Sequence, residues 1–223
     1  MKDRVDMRDC IETIRQIGVV PVIAISDAGK AVALARALAE GGIPCAEITL
    51  RTAEGLEAIG RIAAELPEIL PIAGTVLTVE NAERAVAAGA RCIVAPGLNP
   101  EVVQYCIDRK IPVIPGCVTP TEMGLALAMG LRVVKFFPAE QAGGLAYIRA
   151  VAAPYSDLLF MPTGGIGPEN LGRYLSFPKV AACGGSWMVE KELIDVGNFK
   201  EITRRCRQAA EIVRTARGQG TNR

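Results

Sequence analysis

The chain has 223 residues, of which half are hydrophobic and 22% are charged, with a formal net charge of +1. That length and apolar content can build one sizeable core, and so balanced a charge offers no basic surplus for nucleic acid or an anionic membrane surface. No apolar run reaches the length of a membrane span, and the charged N-terminus MKDRVDMRDCIETIRQ lacks the apolar stretch of a secretory signal.

An amphipathic helix is predicted over 6–16, ahead of a first strand at 19–25. Further short runs rich in Val, Ile, Ala and Cys predict strands at 45–50, 70–76, 92–96, 112–116, 133–137, 158–162 and 180–183. Ala-rich amphipathic segments lie between them, among them 28–41, 53–66, 79–89 and 120–130, and several close on glycine as helices commonly do. Strands alternating with helices imply parallel pairing and right-handed crossovers. Eight such units in this length predict an α/β fold, a (β/α)8 TIM barrel with an extra N-terminal helix capping its bottom. An open doubly wound sheet is the competing architecture, although no GxGxxG follows the first strand to suggest a dinucleotide site. A single barrel domain is expected over 1–217, with a disordered tail at 218–223.

The chain contains no histidine. Ser–His and Cys–His nucleophile pairs and His-ligated metal sites are therefore excluded, and acid–base work falls to Glu, Asp, Lys, Tyr or Cys. The seven cysteines include no CxxC and are expected to be reduced, mostly buried thiols of a cytoplasmic protein.

In such barrels chemistry sits at the C-terminal ends of the strands. Of the seven lysines, only Lys135 lies inside an apolar strand, in Val133-Val134-Lys135-Phe136-Phe137-Pro138. The period of two puts Val133, Lys135 and Phe137 on one face. A buried ammonium is costly, and a neutral amine is what attacks a ketone to form a Schiff base. The alternatives are a buried ion pair or a side chain that snorkels from the rim.

In Ala46-Glu47-Ile48-Thr49-Leu50-Arg51-Thr52, the residues Glu47, Thr49 and Arg51 share a face. Glu47 is the one carboxylate inside a predicted strand, which makes it a candidate proton shuttle. Arg51 lies nearer the mouth, where a guanidinium can grip a carboxylate. The alternative is a structural Glu47–Arg51 pair that never meets substrate.

Glycine pairs mark the ends of the last two strands, in Thr163-Gly164-Gly165-Ile166 and Gly184-Gly185-Ser186-Trp187. Loops at these positions form the recurrent phosphate site of (β/α)8 barrels, because glycine lets backbone N–H groups approach an oxyanion. Plain turn chemistry is the alternative. Gly74-Thr75, Pro96-Gly97 and Pro115-Gly116 end strands three, four and five with the same ambiguity.

Taken together, the chain resembles the 2-keto-3-deoxy-6-phosphogluconate (KDPG) and 4-hydroxy-2-oxoglutarate (KHG) aldolases. The likeness runs through GVVPVIAI (18–25), AEITLRT (46–52), AGTVL (73–77), APGLNPEV (95–102), IPGCVTPTE (114–122), VVKFFPAE (133–140), PTGGI (162–166) and CGGSW (183–187). The resemblance implies a (β/α)8 barrel, a class I aldolase and a homotrimer, acting on small 2-keto acids with no organic cofactor or metal. It implies Lys135 as the Schiff-base lysine and Glu47 as the acid–base group, working partly through water. Arg51 and Thr75 would hold the substrate carboxylate, Pro96 and Phe137 would shape the pyruvyl pocket, and Thr163 would meet substrate hydroxyls. Gly164, Gly165, Gly184, Gly185 and Ser186 match the phosphate end. Retention of the TLR, TGGI and GGSW segments favours the gluconate over the galactonate branch, and Cys117 is a small departure expected to affect only packing. Another phosphate-binding barrel isomerase or synthase, or a non-catalytic sugar-phosphate-binding barrel, remains the alternative to an aldolase.

Overall fold

A computed structural model describes residues 7–218. The first described element is helix α1 (Met7–Ile17), which buries Cys10 and Ile14. Eight strands follow: β1 (Val19–Ile23), β2 (Cys45–Thr49), β3 (Leu70–Gly74), β4 (Cys92–Val94), β5 (Val113–Ile114), β6 (Val133–Phe136), β7 (Leu159–Pro162) and β8 (Cys183–Gly185). The helices between them are α2 (Ala31–Glu40), α3 (Gly55–Glu65), α4 (Val79–Ala88), α5 (Pro100–Asp108), α6 (Pro120–Ala128), α7 (Gly144–Ala152) and α8 (Leu171–Leu175). After β8 come α9 (Lys191–Asp195) and α10 (Phe199–Ala216).

The helix starts follow local chemistry. Thr78 caps α4 by accepting from the Asn81 amide, and Asn99 caps α5 with proline in the first turn. Thr119 and Glu122 form a reciprocal capping box at α6. Gly89 ends α4 at φ 110°, a left-handed conformation that glycine adopts without Cβ strain.

The strands pair in parallel. One sheet has the order β5-β4-β3-β2-β1-β8, and β6 pairs with β7. Isolated parallel bridges join Gly116 to Lys135 and Thr163 to Gly184, so the segment after β5 meets β6 and the segment after β7 meets β8. Every residue of β2 and β3 is buried, as expected for strands covered on both faces. The parallel α/β arrangement agrees with the sequence pattern.

The first seven strands are one to three residues shorter than expected, β5 covering only Val113–Ile114 of 112–116. The last strand is Cys183–Gly185 instead of 180–183, and Val180 makes only an isolated bridge to Phe160. The apolar run Val180-Ala181-Ala182 precedes the strand, because glycines are poor strand formers by propensity yet here carry the ladder with β1. The first helix ends at Ile17, and position 6 of its predicted span lies outside the described residues. Beyond Gly218, the tail predicted at 218–223 also lies outside them. Among the described residues, no helix is long and apolar enough to cross a membrane.

Candidate active site

Strand β6 carries Lys135 between Val134 and Phe136, both fully buried. Its backbone is held on one side by the Pro115 carbonyl and the Cys117 amide, and on the other by β7, where Lys135 pairs with Met161. The side chain turns to the opposite face from Val134 and Phe136 and is 7% exposed. Its Nζ donates to Glu47 Oε1 at 2.9 Å. Glu47 stands on β2 between Val22 of β1 and Ile72 of β3 and has no exposed surface.

β2 belongs to the six-stranded sheet and β6 to the two-stranded one, which the Gly116–Lys135 bridge joins beyond β5. Lys135 and Glu47 therefore meet from strands that do not pair with each other, not along a ladder. Of the two carboxylate oxygens, Oε2 has no hydrogen-bond partner among the described residues. A buried acceptor without a donor is unfavourable, and this one is available to a water or a substrate hydroxyl.

Room for Glu47 comes from Gly74. A Cβ at that position would lie 2.5 Å from Glu47 Oε1 and 2.8 Å from its Cγ. Gly116, just after β5, gives clearance to backbone instead, since a Cβ there would overlap the Pro96 carbonyl. The sequence offers both glycines as turn residues, and their clearance role has no signal in one dimension.

The remaining candidates differ in burial and backbone conformation. The Phe137 ring lies 5.7 Å from Lys135 Nζ and is 39% exposed. Thr163 is buried, and its hydroxyl faces Gly184, where a Cβ would collide with it. Thr75 takes φ 60°, a strained conformation for a branched side chain. Pro96 is half-buried at the end of the β4 segment, and Ser186 is exposed just past β8. Gly164 and Gly165 have φ 101° and 73°, values that suit glycine alone at low cost. Gly184 and Gly185 belong to β8 itself, although the sequence suggested a loop after it.

Arg51 does not pair with Glu47. It is exposed, and its Nε donates to Thr49 Oγ1 at 3.2 Å. Thr49 in turn donates to the Ile23 carbonyl at 2.8 Å, so the expected polar face of β2 divides, with Glu47 directed at Lys135 and Thr49 at β1. The structural Glu47–Arg51 pair that the sequence left open is absent among these contacts.

A surface cleft of about 450 Å³ lies elsewhere, lined by Glu140, Arg149, Arg173 and residues 143–146. Neither Lys135 nor Glu47 lines it, so it is distinct from the lysine–carboxylate pair. Among the described residues, no group of three or more Cys, Asp or Glu side chains is placed to hold a metal ion. All seven cysteines are buried and free. Burial pushes the Cys117 thiol, next to the bridge to β6, up to about 12.

The family model for KDPG and KHG aldolases matches residues 10–205. The chain belongs to the KDPG and KHG aldolase family. It is 48% identical over 202 residues to the 2-dehydro-3-deoxy-phosphogluconate aldolase of Treponema pallidum, covering 91% of this chain and 96% of the relative. To the KHG/KDPG aldolase of Escherichia coli K12 it is 41% identical over 193 residues, or 86% of this chain and 91% of the relative. Among solved structures, the KDPG aldolase of Legionella pneumophila superposes with a TM-score of 0.86 at 37% identity, covering 91% and 97% of the two chains. That crystal structure holds pyruvate as a covalent carbinolamine intermediate. Membership of this family fits a chain in which a lysine and a carboxylate are the polar groups brought together inside an apolar interior.

Proposed function

We propose that the protein is a class I aldolase that cleaves 2-dehydro-3-deoxy-6-phosphogluconate to pyruvate and glyceraldehyde 3-phosphate. The same steps would convert 4-hydroxy-2-oxoglutarate to pyruvate and glyoxylate. The observation that carries the reading is the buried 2.9 Å contact between Lys135 Nζ and Glu47 Oε1, in a chain whose relatives are aldolases of these substrates.

In the proposed cycle, transfer of a proton along this hydrogen bond leaves Lys135 as a neutral amine. The amine attacks the C2 ketone, and Glu47 returns the proton to the departing oxygen, so that water leaves and an iminium forms. Glu47, as carboxylate, then removes the C4 hydroxyl proton. The C3–C4 bond breaks, its electron pair flows into the iminium to give an enamine, and the aldehyde departs. Protonation at C3 and hydrolysis release pyruvate and restore Lys135. The chemistry as drawn uses no cofactor. Arg51 and Thr75 would hold the carboxylate, Pro96 and Phe137 would flank the pyruvyl carbons, and Thr163 would meet a hydroxyl. Gly164, Gly165, Gly184, Gly185 and Ser186 would receive the phosphate.

The reading extends to architecture. The bridges that link β5 to β6 and β7 to β8 support a closed (β/α)8 barrel, as does the meeting of side chains from β2 and β6, strands that do not pair with each other. Helix α1 would then be an addition at the end of the barrel opposite the site, within one domain. A homotrimer in the cytoplasm belongs to the same proposal, and light scattering of the purified protein checks the trimer.

Borohydride reduction in the presence of pyruvate tests the chemistry. A pyruvyl adduct should appear on the peptide containing Lys135. Equal trapping on Lys135→Ala protein would overturn the assignment. Comparison of kcat/KM on the phosphorylated and unphosphorylated substrates ranks the two reactions.

A further inference from the structure

The loop after β7 is tied down through its carbonyl groups. The Thr163 carbonyl accepts from the Ala139 amide at 2.8 Å, and the Gly164 carbonyl from the Glu140 amide at 3.2 Å. The Gly165 carbonyl accepts from Asn170 Nδ2 at 2.8 Å, while Asn170 Oδ1 accepts from the Gly167 amide. Among the described residues, the amides of Gly164 and Gly165 have no acceptor.

Peptide planarity gives this pattern a direction. In a trans peptide the C=O and the following N–H point opposite ways. Pinning the Thr163 and Gly164 carbonyls toward residues 139 and 140 therefore turns the Gly164 and Gly165 N–H groups the other way. Two adjacent free amides at positive φ form a concavity suited to an anion.

Glu140 is itself fixed. Its Oε1 accepts a hydrogen bond from the hydroxyl of Tyr174, which is fully buried on α8. Burial first, and then this bond and the adjacent carboxylate charge, push the Tyr174 phenol up, so it remains a donor. The Glu140 Cβ and Cγ occupy the space beside Gly165, 2.8 and 2.7 Å from where a Cβ would stand. A side chain at Gly165 is thus replaced by the methylenes of Glu140, packed against the loop from behind.

We propose that Glu140, held by Tyr174, and Asn170 are positioning residues that aim the Gly164 and Gly165 amides at the substrate phosphate, and so set specificity for phosphorylated over unphosphorylated 2-keto acids. They act through the loop and do not touch substrate. The proposal rests on the aldolase reading and on its assignment of the phosphate to this loop.

The test is steady-state kinetics of Tyr174→Phe, Asn170→Ala, Glu140→Ala and Glu140→Gln on 2-dehydro-3-deoxy-6-phosphogluconate and on 4-hydroxy-2-oxoglutarate. Circular dichroism serves as a check of folding. Tyr174→Phe, Asn170→Ala and Glu140→Ala should raise KM for the phosphorylated substrate about tenfold, the scale of one misaimed hydrogen bond to a charged group. Their kcat, and both constants for the unphosphorylated substrate, should stay within about twofold of wild type, a small change beside one hydrogen bond. Glu140→Gln keeps an acceptor for Tyr174 and should restore the wild-type KM. Equal changes for both substrates, a fall in kcat at unchanged KM, or no change would overturn the proposal. Pyruvate trapping in the wild type reports separately on the aldolase reading: its absence sinks that reading, whereas normal trapping with unselective variants sinks only this inference.

Discussion

Lys135 Nζ and Glu47 Oε1 are 2.9 Å apart although 88 residues separate them in the chain. Neither strand is the other's neighbour, so the contact is tertiary and belongs to no ladder. Both groups lie in an apolar interior, where an amine and a carboxylate interact more strongly than in water.

The pair should divide its labour in a measurable way. Lys135→Ala should lose aldolase activity and pyruvate trapping together. Glu47→Gln should lower kcat by about 10²–10⁴, the usual contribution of a positioned general acid–base, while slow trapping on Lys135 persists. Retention of full kcat in Glu47→Gln would exclude it as the proton carrier.

Stability should follow the same contact. Lys135→Met leaves the Glu47 carboxylate buried with neither oxygen paired to a donor among these residues, since Oε2 has none already. Breaking a buried pair in this way costs about 3–5 kcal/mol. The double variant Glu47→Gln with Lys135→Met removes the stranded charge and should recover much of the loss. Urea unfolding midpoints give the coupling, and strictly additive single effects would contradict it.

Gly74 and Gly116 should respond differently to alanine. At Gly74 the added Cβ meets the movable Glu47 side chain, so Gly74→Ala should mainly displace that carboxylate and cut kcat by at least about tenfold, in line with the cost of small misplacements at a reacting centre. At Gly116 it meets the backbone carbonyl of Pro96, which has no rotamer to yield. Gly116→Ala should therefore lower stability by about 1–3 kcal/mol or more. Denaturation and kinetics on the two variants separate the cases.

Thiol chemistry offers a test of packing. Burial pushes the Cys106 and Cys206 thiols up to about 12, and the fully buried Cys45 and Cys183 thiols are raised as well. Cys10 differs: a hydrogen bond with Cys92 and the charge of Arg91 outweigh its burial and hold it low. At pH 8 an aromatic disulfide reagent should label none of the seven cysteines of the native protein and all seven after unfolding. Cys10, on terminal helix α1, should be the first to react as denaturant is added. Rapid labelling of a strand cysteine in native protein would contradict the packing.

Much of the site can be read in the sequence because its signals are local. A lysine amid Val133, Val134, Phe136 and Phe137 has no packing rationale, and the missing histidines restrict what chemistry it can join. Arg51 lies beyond the end of β2, and period two groups Glu47 with Thr49 within it. It cannot say what each side chain meets. Glu47 reaches Lys135, Thr49 bonds to β1, and Arg51 folds back on Thr49. The last strand shows the same limit, since β8 runs through Cys183-Gly184-Gly185 and its ladder depends on β1 and Thr163 as partners, not on its own propensity.

The sequence by itself determined the alternation of strands and helices, the parallel α/β class, and the kinds of side chain available for chemistry, because hydrophobic period and residue type are carried by each segment alone. Only the tertiary structure decided that Lys135 faces Glu47, that Gly74 and Gly116 provide clearance, and that Glu140 bonds Tyr174 behind Gly165. These contacts join residues many positions apart, and strand order and register, not local pattern, bring them within hydrogen-bond reach.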